Sequence, residues 1–377
     1  MPDILHSIWH YVIPFIVVIS VVVFVHEFGH YWVARRCGVK IVTFSIGFGA
    51  EIFGWNDRHG TRWQVSWLPF GGYVKMYGDA DPASTPDETV HQMTDDERKV
   101  AFFHQSIGKR MAIVAAGPAS NYLFAILVLA LLFVIKGQPY TPPDVGGVNA
   151  AGPAAAAGIK PGDHIVAIDG KPIERFEDIK RIVAFNSGTP LSIDIERAGA
   201  PLHFSVTPAM LDVPEKTGGD DKSRMLGISS DKLKYRKRSV LQAVQQAGIE
   251  TWDITALSLK AIGQMIAGTR GAEGLGGPLR IAEMSSKVAE DGVASLIRFL
   301  AMISISLGFI NLFPVPLLDG GHLAFYVAEW IKGGPLPPKV QDAGMRVGIA
   351  LVLSLMVFAT WNDLVHLKVV SYVRSFF

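Results

Sequence analysis

Two histidines and a glutamate near the start of the chain have a spacing suited to metal chemistry, in the run His26-Glu27-Phe28-Gly29-His30. Residues four apart share one face of a helix, so both imidazoles can reach a single zinc ion. A glutamate beside the first histidine can act as base on a zinc-bound water, whose pKa the metal lowers to about 7. This pattern predicts a site with one Zn2+ per chain and Glu27 as the catalytic residue.

A catalytic zinc usually has three protein ligands, so a third ligand is expected from elsewhere in the chain. Asp319 is the first acidic residue after 20 uncharged ones, residues 299–318. Two prolines shortly before it break the helix, and two glycines directly after it let the backbone bend toward a metal. His322 is a competing ligand by its chemistry.

The candidate ligands lie in apolar segments of the length that spans a bilayer. Hydrophobic residues make up 49% of the chain and charged residues 18%, less than the roughly 25% charge of soluble domains. We predict four transmembrane helices, in residues 1–36, 109–136, 294–322 and 343–367. The first carries the two histidines, and the third carries Asp319.

Lysines and arginines beside these spans predict their orientation. They place both termini and the long segment 136–293 outside the cytoplasm, and the candidate metal site near the cytoplasmic side. The basic residues beside the spans are Arg35, Arg36, Lys40, Lys109, Arg110, Lys332, Lys339 and Arg346.

The net charge is +1 and no basic run interleaved with aromatics is present, which excludes a nucleic-acid partner.

The run H-E-F-G-H, together with N-L-F-P-V-P-L-L-D-G-G-H at residues 311–322, resembles the site-2 protease family of intramembrane metalloproteases. F-G-G-Y at 70–73, A-G-P-A-S-N at 116–121 and G-G-P-L-R-I-A at 276–282 extend the resemblance over most of the chain. It implies a polytopic α-helical membrane protein with four transmembrane helices and a membrane-associated β-hairpin, which we place in residues 37–108.

The same resemblance implies roles for individual residues. His26, His30 and Asp319 would bind zinc, Glu27 would be the catalytic acid and base, and His322 would be a neighbour. Asn311 would contact the substrate backbone, although a hydrogen bond between packed helices is an alternative. The hairpin around Gly71, Gly72 and Tyr73 would pair with an unwound substrate segment, although the two glycines alone indicate only a tight turn.

Residues 142–231 resemble a bacterial PDZ domain of α+β type inserted into the membrane protein, with A-G-I-K-P-G-D at 157–163. PDZ domains bind extended peptides by strand addition, and Leu226, Gly227 and Ile228 fit the groove strand or an ordinary strand. The polar stretch 212–224 is expected to be a flexible loop. Residues 239–293 read as an amphipathic helix and linker that lies on the membrane surface or packs against the protein.

The resemblance implies a protein of the bacterial inner membrane that cuts the transmembrane segments of single-span proteins after an earlier protease has trimmed them. Anti-sigma-factor-like proteins and remnant signal peptides are both plausible substrates. Two other functions remain open from the residues alone. One is a non-catalytic membrane scaffold that presents the PDZ-like domain, and the other is an intramembrane metal transporter, because buried His and Asp also mark ion pathways.

Overall fold

The computed structural model of the protein describes residues 2–79, 92–212, 222–230, 233–268, 271 and 276–366. The chain divides into two units. The first, here called the helical unit, comprises Met1–Ala130, Val244–Leu259 and Leu275–Phe377. The second, here called the sheet unit, comprises Leu131–Ala243 and Lys260–Gly274.

The helices and strands follow in chain order. The helices are α1 Pro2–Arg36, α2 Asp95–Val100, α3 Ile107–Ile135, α4 Pro153–Ala157, α5 Phe176–Phe185, α6 Val240–Ile266, α7 Pro278–Glu290, α8 Val293–Asn311, α9 Asp319–Lys332 and α10 Pro338–His366. The strands are β1 Ile41–Asn56, β2 Arg62–Met76, β3 Gln138–Tyr140, β4 Gly147–Val148, β5 His164–Ile168, β6 Lys171–Pro172, β7 Leu191–Arg197, β8 Ala200–Val206, β9 Ala209–Asp212, β10 Lys222–Met225, β11 Ile228–Ser229 and β12 Lys234–Arg236.

Four helices of the described chain are long and apolar enough to cross a membrane: Val12–Arg36, Ile107–Ile135, Val293–Asn311 and Lys339–Val365. The predicted third span, 294–322, differs from the structure. Helix α8 ends at Asn311, and Asp319 is the first residue of the separate helix α9. The two prolines in the connection lack the backbone N–H that a continuous helix requires, so the chain turns before it reaches the aspartate.

Strands β1 and β2 form an antiparallel sheet in the helical unit. Both strands bend, so that residues 43–46 of β1 pair with residues 72–75 on one side and with 62–65 on the other. The prediction of a hairpin turn at Gly71 and Gly72 is wrong, because both glycines lie within β2. Gly72 instead allows a close approach to α1, since an added Cβ would lie 2.8 Å from Val23 and 3.1 Å from Glu27.

The sheet unit contains a four-stranded antiparallel sheet in the order β6-β5-β7-β8. Helix α5 buries its apolar face in the same core. The predicted loop at 212–224 is partly strand, because Lys222–Met225 pairs with Ala209–Asp212; residues 213–221 lie outside the described part. The buried core residues are Val145, Ala154, Ile159, Ile165, Ile168, Ile173, Phe176, Ile179, Val183, Leu191, Ile193, Ile195, Val206 and Leu226.

One ion pair in the sheet unit joins the loop before β5 to the end of β7. The guanidinium of Arg197 donates two hydrogen bonds to the carboxylate of Asp163, at 2.7 and 2.8 Å. Burial alone raises the pKa of the Asp163 carboxyl, but hydrogen bonds from Arg197 and from the amide of Lys160 outweigh it. The pKa of Asp163 therefore lies below its ordinary value.

The predicted segment 239–293 contains two helices rather than one. Ser239 begins α6 with a capping box, in which its side chain accepts the amide of Gln242. Helix α7 packs against α1, α8 and α10 within the helical unit. Helix α7 therefore packs against the helix that carries His26 and His30.

Candidate metal centre

His26 and His30 lie one turn apart on the same face of α1, and both are buried. Their Nε2 atoms are 3.3 Å apart. Asp319, at the start of α9, brings its Oδ2 atom to 3.1 Å from Nε2 of His26 and 3.5 Å from Nε2 of His30. Two imidazole nitrogens and one carboxylate oxygen therefore converge on one point, all within 4.8 Å of one another.

This donor set fits zinc. Zinc binds imidazole nitrogen and carboxylate oxygen, and catalytic sites use three such ligands with a fourth position open. Asp319 Oδ2 is buried and has no hydrogen-bond partner among the described residues, as expected for an atom placed to bind a cation. His322 is not a member of this ligand cluster, so within the described chain the competing assignment has no geometric support.

Helix α3 contacts the far side of both imidazoles. Nδ1 of His30 lies 2.9 Å from the carbonyl oxygen of Ile113, to which it can donate. Nδ1 of His26 lies 3.1 Å from the side-chain amide of Asn121. These contacts leave both Nε2 atoms directed at Asp319, because each ring has its other nitrogen against α3.

Gly117 of α3 makes room for the two rings. A Cβ added there would lie 2.2 Å from Nε2 of His30 and 2.9 Å from Cε1 of His26. Any larger residue would therefore occupy the space of the ligands themselves. The A-G-P-A-S-N run at 116–121 carries part of the family resemblance, but the sequence alone assigns no role to Gly117 or Asn121. The signals in that run are a small residue and a polar residue inside a membrane-spanning helix.

The connection between α8 and α9 positions Asp319. Leu317 has a φ of +100°, an unusual conformation for a residue with a branched side chain. Gly320 lies against the residues that follow α8, where an added Cβ would be 2.3 Å from the carbonyl oxygen of Phe313. Gly321 is similarly close to the carbonyl oxygen of Val315. The glycines thus let α9 begin directly against the chain that precedes it.

An ion pair holds the last turn of α9 to the start of α3. Nη2 of Arg110 donates to Oε2 of Glu329 at 2.9 Å, and both side chains are largely buried. The same guanidinium lies 4.6 Å from the ring centroid of Tyr326. Helix α9 carries Asp319, and helix α3 contacts both histidines. An ion pair as well as packing therefore holds these two helices together.

A cavity of about 640 Å³ adjoins the three ligands. It brings together the candidate site residues of the helical unit, including Glu27, which lies on the same helix as the histidines. Its other lining residues from that set are Asn311, Gly71, Gly72, Tyr73 and His322. The cavity therefore combines a candidate base, a side-chain amide and the backbone of β2 beside one metal site.

Leu226, Gly227 and Ile228 lie in the sheet unit and not in this cavity. The side chain of Leu226 is 2% exposed and belongs to the core, while its carbonyl accepts the amide of Ala154. Ile228 begins β11, which pairs with β4. The side chain of Leu226 is therefore not available to a bound peptide.

Known proteins with similar sequences are named as proteases. The sequence model described as Peptidase family M50 matches residues 14–355. A protein of Agrobacterium fabrum that is named as a zinc metalloprotease (Atu1380) is 42% identical over 359 residues, covering 94% of this chain and 95% of that protein. The regulator of sigma-E protease RseP of Salmonella typhimurium is 31% identical over 446 residues, covering 93% and 97%.

Among solved structures, the PDZ domain of an SdrC-like protein from Listeria monocytogenes matches 24% of this chain and 88% of its own length. The identity is 21% and the TM-score is 0.20.

Proposed function

This chain belongs to peptidase family M50, the site-2 protease family, and is a zinc metalloprotease; from this premise we propose that it cuts peptide bonds within the transmembrane segments of single-span membrane proteins. The observation that carries the proposal is the convergence of His26, His30 and Asp319 beside Glu27, with both histidines inside an apolar helix of membrane-spanning length.

Each residue has a distinct proposed role in this cavity. His26, His30 and Asp319 would hold zinc, which when bound supplies the Lewis acidity that activates water near neutral pH. Glu27 would take a proton from the attacking water and deliver it to the departing amide nitrogen. The side-chain amide of Asn311 would donate a hydrogen bond to the substrate backbone beside the bond that is cut.

The backbone of β2 offers a way to hold the substrate. A transmembrane helix satisfies its own peptide groups, so a protease must unwind it before attack. An extended substrate segment alongside Gly71, Gly72 and Tyr73 would regain hydrogen bonds by strand addition. Large apolar side chains on this sheet are exposed, including Ile52 at 58%, Phe53 at 62% and Trp67 at 69%, which fits contact with lipid.

The wider setting follows from the family. The protein is a multi-pass protein of the inner membrane. We propose that both termini and the sheet unit are extracytoplasmic, and that the PDZ-like residues 142–231 bind a peptide segment through the backbone at Leu226, Gly227 and Ile228. One relative is named as a regulator of sigma-E, which favours anti-sigma-factor-like substrates that are cut after prior trimming; remnant signal peptides are a second substrate class.

The test compares the wild type with Glu27→Gln in liposomes that contain a trimmed single-span substrate. We expect the wild type to cleave within the membrane, a chelator to stop cleavage, and zinc to restore it. Glu27→Gln should bind zinc at wild-type stoichiometry and release no product. Glu177→Gln, the same change in α5 of the sheet unit, is the matched control and should cleave normally.

Three outcomes would reject the proposal. Glu27→Gln that cleaves at the wild-type rate would remove Glu27 from the mechanism. Substrate binding without product in the zinc-loaded wild type would indicate the scaffold function. Zinc flux across the liposome without cleavage would indicate the transporter function.

A further inference from the structure

Asn121 is a fully buried polar side chain in helix α3, within a stretch of the helix that has no charged residue after Arg110, and the catalytic roles above do not use it. Its amide nitrogen lies 3.1 Å from Nδ1 of His26, on the side of the ring opposite Asp319. Ser304 of α8 donates to the backbone carbonyl of Asn121 at 3.0 Å and lies 3.4 Å from its side-chain oxygen. Three helices therefore meet at this amide.

The chemistry of a metal-binding imidazole decides what Asn121 must do. A neutral imidazole carries one proton, and the ring nitrogen that binds a metal cannot carry it. Nε2 of His26 faces the other two ligands, so with metal bound the proton is on Nδ1. The group opposite Nδ1 must then accept a hydrogen bond, and asparagine provides such an acceptor in its side-chain oxygen.

We propose that Asn121 is a positioning residue for His26 and thereby a determinant of zinc affinity. With metal bound, its side-chain oxygen accepts Nδ1–H of His26, and its NH2 group faces the Ser304 hydroxyl, which can accept as well as donate. The oxygen and nitrogen of the amide exchange places by a half-turn about the terminal side-chain bond, which needs no movement of α3. The inference rests on the zinc site proposed above.

His30 shows the same arrangement with a partner that can only accept. Its Nδ1 lies 2.9 Å from the carbonyl oxygen of Ile113, so the proton on that ring is fixed at Nδ1 by a backbone group. Asn121 lies eight residues further along α3, about two turns on the same face. Helix α3 thus presents an acceptor to each histidine, one from its backbone and one from a side chain.

The decisive comparison is between Asn121→Asp and Asn121→Leu in the full chain. Aspartate keeps the acceptor oxygen at the same place, whereas leucine keeps the volume and removes it. Loss of a hydrogen-bond partner behind a metal ligand typically weakens metal binding about 10–100-fold. We therefore expect zinc to bind Asn121→Leu about 10–100-fold more weakly than the wild type, and Asn121→Asp within a few fold of it.

The measurement is competition with a chelator of known zinc affinity, supported by the visible absorption spectrum of the cobalt-loaded protein, which reports ligand geometry without any cleavage assay. Asn56→Leu, the same change in β1 and outside the cavity lining, is the matched control and should leave zinc affinity unchanged. Size-exclusion chromatography in detergent shows whether each variant is folded.

The proposal is overturned if folded Asn121→Leu binds zinc as tightly as the wild type, or if folded Asn121→Asp loses as much affinity as Asn121→Leu. A measurement on the cobalt-loaded wild type does not depend on variant folding: two slowly exchanging imidazole N–H signals are expected in its NMR spectrum, and one such signal overturns the proposal. If the wild type binds no zinc at all, the metal site itself fails, which this assay distinguishes from failure at Asn121 alone.

Discussion

The carboxylate of Asp363 in α10 caps the start of α7 by accepting the backbone amide of Gly277 at 2.8 Å. Its second oxygen accepts the amides of Leu279 and Arg280, each at 3.1 Å. Asp363 is 1% exposed, and an added Cβ at Gly277 would lie 2.7 Å from it. The N-cap residue of α7 is Gly277, which has no side chain that could accept these amides. Asp363, 86 positions away, caps the helix instead.

We predict that Asp363→Leu will loosen the first turn of α7, because its buried amide donors lose their acceptor. A lost cap costs about 0.5–2 kcal/mol, which corresponds to roughly a 2–30-fold increase in local opening. Hydrogen exchange in peptides covering residues 277–283 should rise by about that factor. Asp342→Leu, an exposed position on the same helix, is the control; equal exchange in both variants would contradict the capping role.

We predict that Gly117→Ala will disrupt the metal centre, since the new methyl would meet Nε2 of His30 at 2.2 Å. Zinc affinity should fall about 10–100-fold or more, because loss of a group that supports a metal ligand already weakens binding by that much. Gly108→Ala, in the same helix with nothing within 4 Å of its added Cβ, should bind zinc normally and be at least as stable. The same chelator competition measures both, and normal zinc affinity in Gly117→Ala would refute the packing argument.

We predict that Glu329→Leu will destabilise the helical unit by about 3–5 kcal/mol, because it leaves the Arg110 charge buried without its partner. The double variant Arg110→Leu/Glu329→Leu should recover most of that loss. Denaturant unfolding in detergent, followed by tryptophan fluorescence, gives the free energies. The exposed pair Lys99 and Asp96 is the comparison, and Asp96→Ala should cost less than about 1 kcal/mol.

We predict that the sheet unit loses stability in acid through Asp163. The folded pKa of this carboxyl lies below its ordinary value of 3.8, so the Arg197 pair stabilises the fold above that pH and the contribution disappears as pH falls through the folded pKa. Hydrogen exchange in residues 163–197, corrected for intrinsic rates, should increase more between pH 6 and pH 3 than in Asp163→Asn. An identical pH response in both proteins would exclude Asp163 as the source.

The sequence singles out the three candidate ligands that the structure brings together, because their spacing is local or their context is unusual. The four-residue interval between His26 and His30 is one helical turn, and an acidic residue after a long uncharged run is costly unless it has a use. Asn121 could not be assigned in the same way, since an asparagine in an apolar helix often bonds only to a neighbouring helix. Its role depends on α1, which is 95 residues away in sequence.

The error at Gly71 and Gly72 has a physical cause. Paired glycines indicate a turn when only neighbouring residues are considered. In the fold, Gly72 is pressed against Val23 of α1, and strand β2 continues through it. Likewise, the prolines before Asp319 predict a broken helix. They do not predict the length of the connection before α9, because that length depends on the packing of Gly320 against Phe313.

The hydrogen bond from His30 to the Ile113 carbonyl joins zinc occupancy and helix packing into one equilibrium. A change that separates α3 from α1 removes the hydrogen bond that supports the His30 imidazole. A zinc ion bound at the site would in turn favour the packing of the two helices. By mass action, free zinc at a thousand times its dissociation constant would add about 4 kcal/mol to the folded state. When zinc is scarce, the folded enzyme would then be less stable in its membrane, in addition to being less active.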